Sequence, residues 1–144
     1  MGTDFVWHIV GDGPERSKLE ALIVENDLKD HVILEGSKTN PYPYMKYADL
    51  FVHPSYVESQ GLTVLEAMAL DVPCVVTKSL GPCEFIEDGV NGLLTEQSPE
   101  SLAEEVLAIL NDKTLYQSIK ENTVCPEQFT PDRVMKQIEK LIDG

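Results

Sequence analysis

Two glutamates, Glu58 and Glu66, flank Gly61 within the stretch from Pro54 to Ala69. A carboxylate accepts hydrogen bonds on two oxygens, so two of them in one cleft can grip a ligand carrying hydroxyls at two ends. The stretch follows an apolar run and opens a helical pattern, which puts its loop at the carboxyl end of a strand. The backbone N–H groups of Gln60, Gly61, Leu62 and Thr63 are then the unpaired donors of a helix's first turn. With the helix dipole they form a seat for a phosphate or a sugar hydroxyl, and Gly61 lets a ligand come close to the backbone. A nucleotide sugar carries both kinds of group. A plainer account also exists: Glu58 caps the helix and Glu66 is a surface helix residue. For two glutamates taken alone, the plainer account is the stronger one.

Other polar residues have weaker claims. Lys38 and Lys78 stand just past strand-like runs, where a cation can approach a phosphate or a base, but exposed loop lysines are the commoner case. His53 precedes Pro54, and a hydrogen-bonded strand-end histidine is a better reading than a catalytic base. Asp12 sits between Gly11 and Gly13 as turn chemistry, and the missing third glycine argues against a dinucleotide fingerprint. Glu84 braces or caps the Gly81 loop. Tyr42 and Tyr44 either stack on a base or pack a proline-rich turn.

The elements that must position these residues follow from hydrophobic spacing. Strands are predicted over 5–10, 31–35, 49–53, 73–77 and 91–94. Helices are predicted over 15–25, 45–48, 61–70 and 115–122, with a single turn over 85–88. Leu102, Val106, Ile109 and Leu110 mark one more helix, and Val134, Ile138, Leu141 and Ile142 mark a last one. Pro41 to Tyr44 reads as a turn. Strands alternating with helices imply an α/β fold: a Rossmann-like, doubly wound, mainly parallel sheet with ligands at the strands' carboxyl ends.

Composition narrows the function. The chain has 144 residues, with 11 basic against 25 acidic side chains and a net charge of -14. Nucleic-acid binding needs a basic footprint, which is lacking, and a polybasic membrane anchor is disfavoured for the same reason. No apolar run approaches the roughly 20 residues of a membrane helix, so this segment is not expected to insert. The first residues lack a secretory pattern and a convincing myristoylation site. Cys74, Cys83 and Cys125 form no C-x-x-C pair and read as reduced thiols of a cytosolic chain, with Cys74 a small core residue. From Ser79 to Asp112 there are eight carboxylates and no Lys or Arg, in spacing that suits a solvated face rather than a metal site.

The residues around the glutamate pair change the weighting. Pro54-Ser55-x-x-Glu58, then Gly61-Leu62-x-x-x-Glu66-Ala67-Met68-Ala69, then Val72-Pro73-x-Val75-Val76 resembles the signature of family 4 retaining glycosyltransferases, the glycosyl transferases group 1. Its core is E-x(7)-E, here Glu58 to Glu66. Val10-Gly11-Asp12-Gly13-Pro14, the Asn40 to Tyr44 segment with Ala48 to Val52, and the Gly81 to Leu94 segment resemble further family elements in the family's order. The likeness covers residues 6–110.

The resemblance implies a GT-B enzyme with two Rossmann-like halves, of which residues 1–144 are a single donor-binding domain cut at its N-terminal end. It implies that Glu58 is catalytic and contacts the transferred sugar. Glu66 would hold the ribose hydroxyls, while the amides of Gly61, Leu62 and Thr63 face sugar and diphosphate. Ser59, Gln60 and Lys38 are further donor-binding candidates. It implies transfer from a UDP- or GDP-sugar to a saccharide or lipid-linked acceptor in polysaccharide biosynthesis, with retained configuration and no metal or other cofactor. The acceptor would bind through an N-terminal half not present here. The implied location is cytoplasmic, with the full-length enzyme able to lie at the inner membrane face. Ser59-Gln60 stand where the family usually has Gly-Phe, and Asp71 stands for a usual Gly. The family's Arg and Lys for the diphosphate have no counterpart upstream of Trp7, so this piece alone is expected to be inactive. The alternatives are a non-catalytic nucleotide-sugar-binding or regulatory module, and a Rossmann domain unrelated to sugars.

Overall fold

The computed structural model describes residues 5–129. The helix expected around Val134 to Ile142 lies outside them. The described residues form two compact units, one running to Tyr47 and the other starting at Ala48.

The first unit contains β1 (Trp7–Val10), α1 (Arg16–Glu25), β2 (Val32–Gly36) and α2 (Tyr42–Lys46). The two strands are parallel, with Trp7 opposite Val32 and Ile9 opposite Leu34. Asp12 works as turn chemistry here: its Oδ1 accepts from the Gly13 N–H at 2.8 Å. One element differs from the sequence reading. The stretch 41–44 is not a turn before a helix but the helix start itself. Pro41 and Pro43 fall at the cap and in the first turn, where a missing N–H costs nothing. Asn40 Oδ1 accepts from the Tyr42 N–H at 3.2 Å and helps open the helix.

The second unit contains β3 (Phe51–His53), α3 (Leu62–Ala69), β4 (Cys74–Thr77), β5 (Leu93–Thr95), α4 (Pro99–Asn111) and α5 (Lys113–Asn122). The strands pair in the order β3-β4-β5, all parallel. The α/β class and the parallel pairing match expectation, and the pairs fall into one sheet per unit. β4 is central and buried along its whole length. Its side chains alternate between the faces of the sheet. Cys74 and Val76 pack with Val64, Met68 and Ile86, whereas Val75 packs with Leu93, Val106, Ile109 and Ile119. Both faces of this sheet are therefore covered, by α3 on one side and by α4 and α5 on the other. Burial pushes the Cys74 thiol up to about 12, which leaves it an inert core group.

Caps set the helix limits. Ser98 Oγ accepts from the Ser101 N–H at 3.1 Å, and Asp112 Oδ1 accepts from Thr114 and Leu115 at 2.9 and 3.0 Å. Asp71 takes a left-handed φ of 60°, as its place after α3 requires. The turn expected over 85–88 is instead a 3₁₀ turn over Pro82–Glu84. Proline suits a first turn, and the shift frees Phe85 and Ile86 to pack into the core.

The two faces of α4 give a direct check. Ile109 is fully buried, whereas Leu107 is 45% exposed. Ile109→Ala should lower stability in urea unfolding by about 2–5 kcal/mol, while Leu107→Ala should stay within about 0.5 kcal/mol of the parent.

Candidate functional site

The site is built from three loops at the carboxyl edge of the second unit's sheet. The first follows β3 and carries Glu58. The second follows β4 and carries Lys78 to Gly81. The third follows β5 and carries Glu96 and Gln97. An open cleft of about 520 Å³ lies against them, lined by Tyr56, Glu58, Ser59, Lys78, Leu80 and Gln97 among others.

Glu58 is the centre of the first loop. Its Oε1 accepts from the backbone N–H groups of Gln60 at 3.1 Å and Gly61 at 3.0 Å. Those bonds, with the nearby His53, hold its carboxyl below the usual carboxylate value. The expectation of four unpaired donors at the head of α3 is thus corrected, because Glu58 takes two of them. Gly61 O accepts from Val64 and Leu65, both at 3.0 Å, so the amides of Leu62 and Thr63 are left with no carbonyl partner in the helix. Glu66 lies half-buried on the same helix, about one turn past its first residue, Leu62.

Glu58 Oε2 lies 3.5 Å from His53 Nε2, which is buried without a hydrogen-bond partner. This one ring nitrogen, facing Glu58 at 3.5 Å, is where the residue departs from the hydrogen-bonded strand-end histidine expected from sequence. Its backbone carbonyl is satisfied: Thr77 Oγ1 donates to the oxygens of His53 at 3.2 Å and Ser55 at 2.6 Å, tying the first loop to the end of β4.

Two glycines decide the loop's shape. Gly61 caps α3 with a φ of +69°, and a Cβ there would lie 2.9 Å from Phe85 Cζ. Gly81 has an ordinary φ, but its Cβ would lie 2.6–2.8 Å from backbone atoms of Gln60. The Gly81 N–H donates to Glu58 O at 3.1 Å, so two loops meet backbone to backbone.

The lysines are already engaged. Lys78 pairs with Glu96, which raises its ammonium above the ordinary lysine value. Lys38 belongs to the first unit, where it pairs with Glu35 at 3.0 Å and lies 5.3 Å from the Tyr44 ring centroid. His8, Lys38 and the Tyr44 hydroxyl all converge on Glu35 and lower its carboxyl to about 2. Tyr44 is thus a hydrogen-bonding residue, whatever else its ring meets. The structure brings Glu58, Ser59, Gln60, Gly61, Leu62, Thr63 and Glu66 together along one loop and helix, and it leaves Lys38 in the other unit.

Sequence reasoning missed Thr77 and Gln97. Gln97 Nε2 donates to Tyr56 O at 2.8 Å and to Lys78 O at 2.7 Å. Neither residue belongs to a local motif, and only the strand order puts them beside Glu58. Among the described residues, no group of three His, Cys, Asp or Glu side chains could hold a metal ion.

The family model for glycosyl transferases group 1 matches residues 1–124. The chain belongs to that family. This glycosyl transferases group 1 chain is 32% identical over 136 residues to N-acetyl-alpha-D-glucosaminyl L-malate synthase of Bacillus anthracis, covering 92% of this chain and 36% of the relative. It is 30% identical over 144 residues to poly(ribitol-phosphate) alpha-N-acetylglucosaminyltransferase of Staphylococcus aureus, covering 96% of this chain and 29% of that enzyme. The chain thus spans about a third of the length of the curated relatives it matches. Its structure resembles Anabaena Alr3699/HepE, solved with UDP, at a TM-score of 0.88 and 26% identity, covering 96% of this chain and 41% of that one. The same protein with UDP-glucose gives a TM-score of 0.86.

Two outcomes follow for the site of this glycosyl transferases group 1 chain. Gly81→Ala should cost about 1–3 kcal/mol in urea unfolding through overpacking against Gln60, despite a backbone conformation that alanine accepts; a neutral result would contradict the loop contact. Glu58 has a depressed folded value, so its contribution to stability is present above the ordinary carboxylate value and is lost as pH falls through the folded one. Glu58→Gln should flatten that acid-side part of the stability profile, read by thermal melts from neutral pH downward.

Proposed function

We propose that this chain is the donor-binding part of a retaining glycosyltransferase. Its substrate is a nucleoside-diphosphate sugar, with UDP favoured over GDP because the similar Anabaena protein was solved with UDP and UDP-glucose. The full-length protein would pass the sugar to a saccharide or lipid-linked acceptor bound by chain beyond this segment. The anomeric bond to the diphosphate breaks as a bond to the acceptor oxygen forms on the same face. The diphosphate leaves, and the acceptor's proton is released.

The observation that carries this reading is the Glu58 carboxylate at the cleft and at the head of α3, one oxygen pinned by two amides. In the proposal its other oxygen receives a sugar hydroxyl, and Ser59 and Gln60 side chains add hydrogen bonds. Glu66 receives the ribose hydroxyls. The amides of Leu62 and Thr63, more than that of Gly61, face the diphosphate, where oriented donors stabilise departing charge. No metal is needed for that role. Lys38 would have to give up Glu35 to reach a phosphate, which makes it the most costly of the proposed contacts. A net charge of -14 makes donor binding by this segment weak and salt-sensitive.

Titration with UDP and GDP, followed by amide NMR, tests the site. Shifts are expected from Gly61 to Glu66, larger for UDP. Their absence at millimolar nucleotide would remove the assignment. Glu66→Ala should weaken UDP binding about tenfold, the scale of two lost hydroxyl contacts, with little change in melting temperature. Equal loss in both measurements would return Glu66 to a purely structural role.

A further inference from the structure

We propose that Gln97 is a positioning residue of the donor site, holding the Glu58 loop in the shape that grips the sugar. The proposal rests on the donor-binding reading above. Two carbonyl oxygens, Tyr56 O at 2.8 Å and Lys78 O at 2.7 Å, converge on one terminal atom of this side chain. Only an amide nitrogen has two protons to give them, so the amide's orientation is determined by its partners. One side chain from the loop after β5 thereby joins the loops after β3 and β4.

The Glu58 loop needs such a tie. Tyr56 and Val57 are 69% and 88% exposed, so apolar packing does not hold this part of the chain. Thr77 anchors the loop at Ser55, and Gly81 anchors it at Glu58. Gln97 anchors the stretch between them at Tyr56. It also lines the cleft, and with both amide protons committed it has only acceptor capacity left for a ligand. Exposed hydrogen bonds of this kind add little to global stability. Their consequence is local: they fix where Glu58 stands relative to the cleft, without touching the head of α3.

The test uses Gln97→Leu, which removes donors and acceptor, and Gln97→Glu, which keeps shape and acceptor but cannot donate. Dissociation constants for UDP and UDP-glucose are measured on parent and variants, together with melting temperature and amide hydrogen exchange at Gln60 and Gly61. Both variants should leave UDP affinity within about twofold, weaken UDP-glucose about tenfold, speed exchange at the two amides and leave melting nearly unchanged. Equal weakening of both ligands, unchanged affinity for both, or full recovery in Gln97→Glu would overturn the positioning role. If the parent binds neither ligand, the donor-binding reading fails and this role falls with it. If the parent binds both and only the variants' predicted ratio is missing, the inference about Gln97 alone fails.

Discussion

The backbone of Gln60 occupies the space where a side chain on Gly81 would begin, at 2.6–2.8 Å from a Cβ built there. The loop carrying Glu58 is therefore set by contact with the loop after β4 as well as by the hydrogen bonds of its own Glu58 and Ser55 side chains. The bond from the Gly81 N–H to Glu58 O at 3.1 Å fixes the same approach. Pro82 and Phe85, which follow Gly81, close on Gly61 and leave no room for a Cβ there either. Two glycines twenty positions apart thus share one task. Each removes a methylene's worth of bulk, and the pair lets a carboxylate turn back onto the first amides of α3.

Charge shapes the site as much as packing does. A chain of net charge -14 repels an anionic donor, and its strand-end cations do not answer that repulsion, because Lys78 is paired with Glu96 and Lys38 with Glu35. The cleft lining also offers acceptors, the Glu58 carboxylate and the carbonyl oxygen of Gln97, beside the hydroxyls of Tyr56, Ser59 and Ser79. Acceptors suit sugar hydroxyls and not phosphate. In the proposed complex, recognition of the sugar by side chains and of the diphosphate by backbone amides separates along the loop and the helix that follows it. In that proposal the sugar contacts all lie within this segment, while the phosphate contacts are thin.

Much of the fold was legible in the sequence because it rests on short periods. β4 reads from the short run Pro73 to Thr77 with Val75 and Val76 inside it, and α4 reads from Leu102, Val106, Ile109 and Leu110; each has the same place in the structure. The misreadings lie where proline is ambiguous. Pro41 and Pro43 looked like turn residues and start α2, and Pro82 drew the 3₁₀ turn three residues forward of the expected position. The site was legible only in part. Glu58, Gly61 and Glu66 stand in one motif, so spacing exposes them. Gln97 meets Tyr56 across 41 positions, and Thr77 meets Ser55 across 22. Such contacts have no period, and they become visible only when β3, β4 and β5 lie side by side.

Glu58 had two competing readings in the sequence, helix cap and ligand contact, and the structure gives a reason to join them. A carboxylate has two oxygens, and capping by Gln60 and Gly61 occupies one of them. A free glutamate in a loop must lose rotamer freedom before it can hold a hydroxyl. A capped one has already lost it, through bonds that also keep it ionised. In the proposal the remaining oxygen, which lies 3.5 Å from His53 Nε2, accepts a sugar hydroxyl, and its prior immobilisation makes the entropic cost smaller. The structural role is what makes the proposed chemical role affordable, so evidence for the cap does not count against the contact.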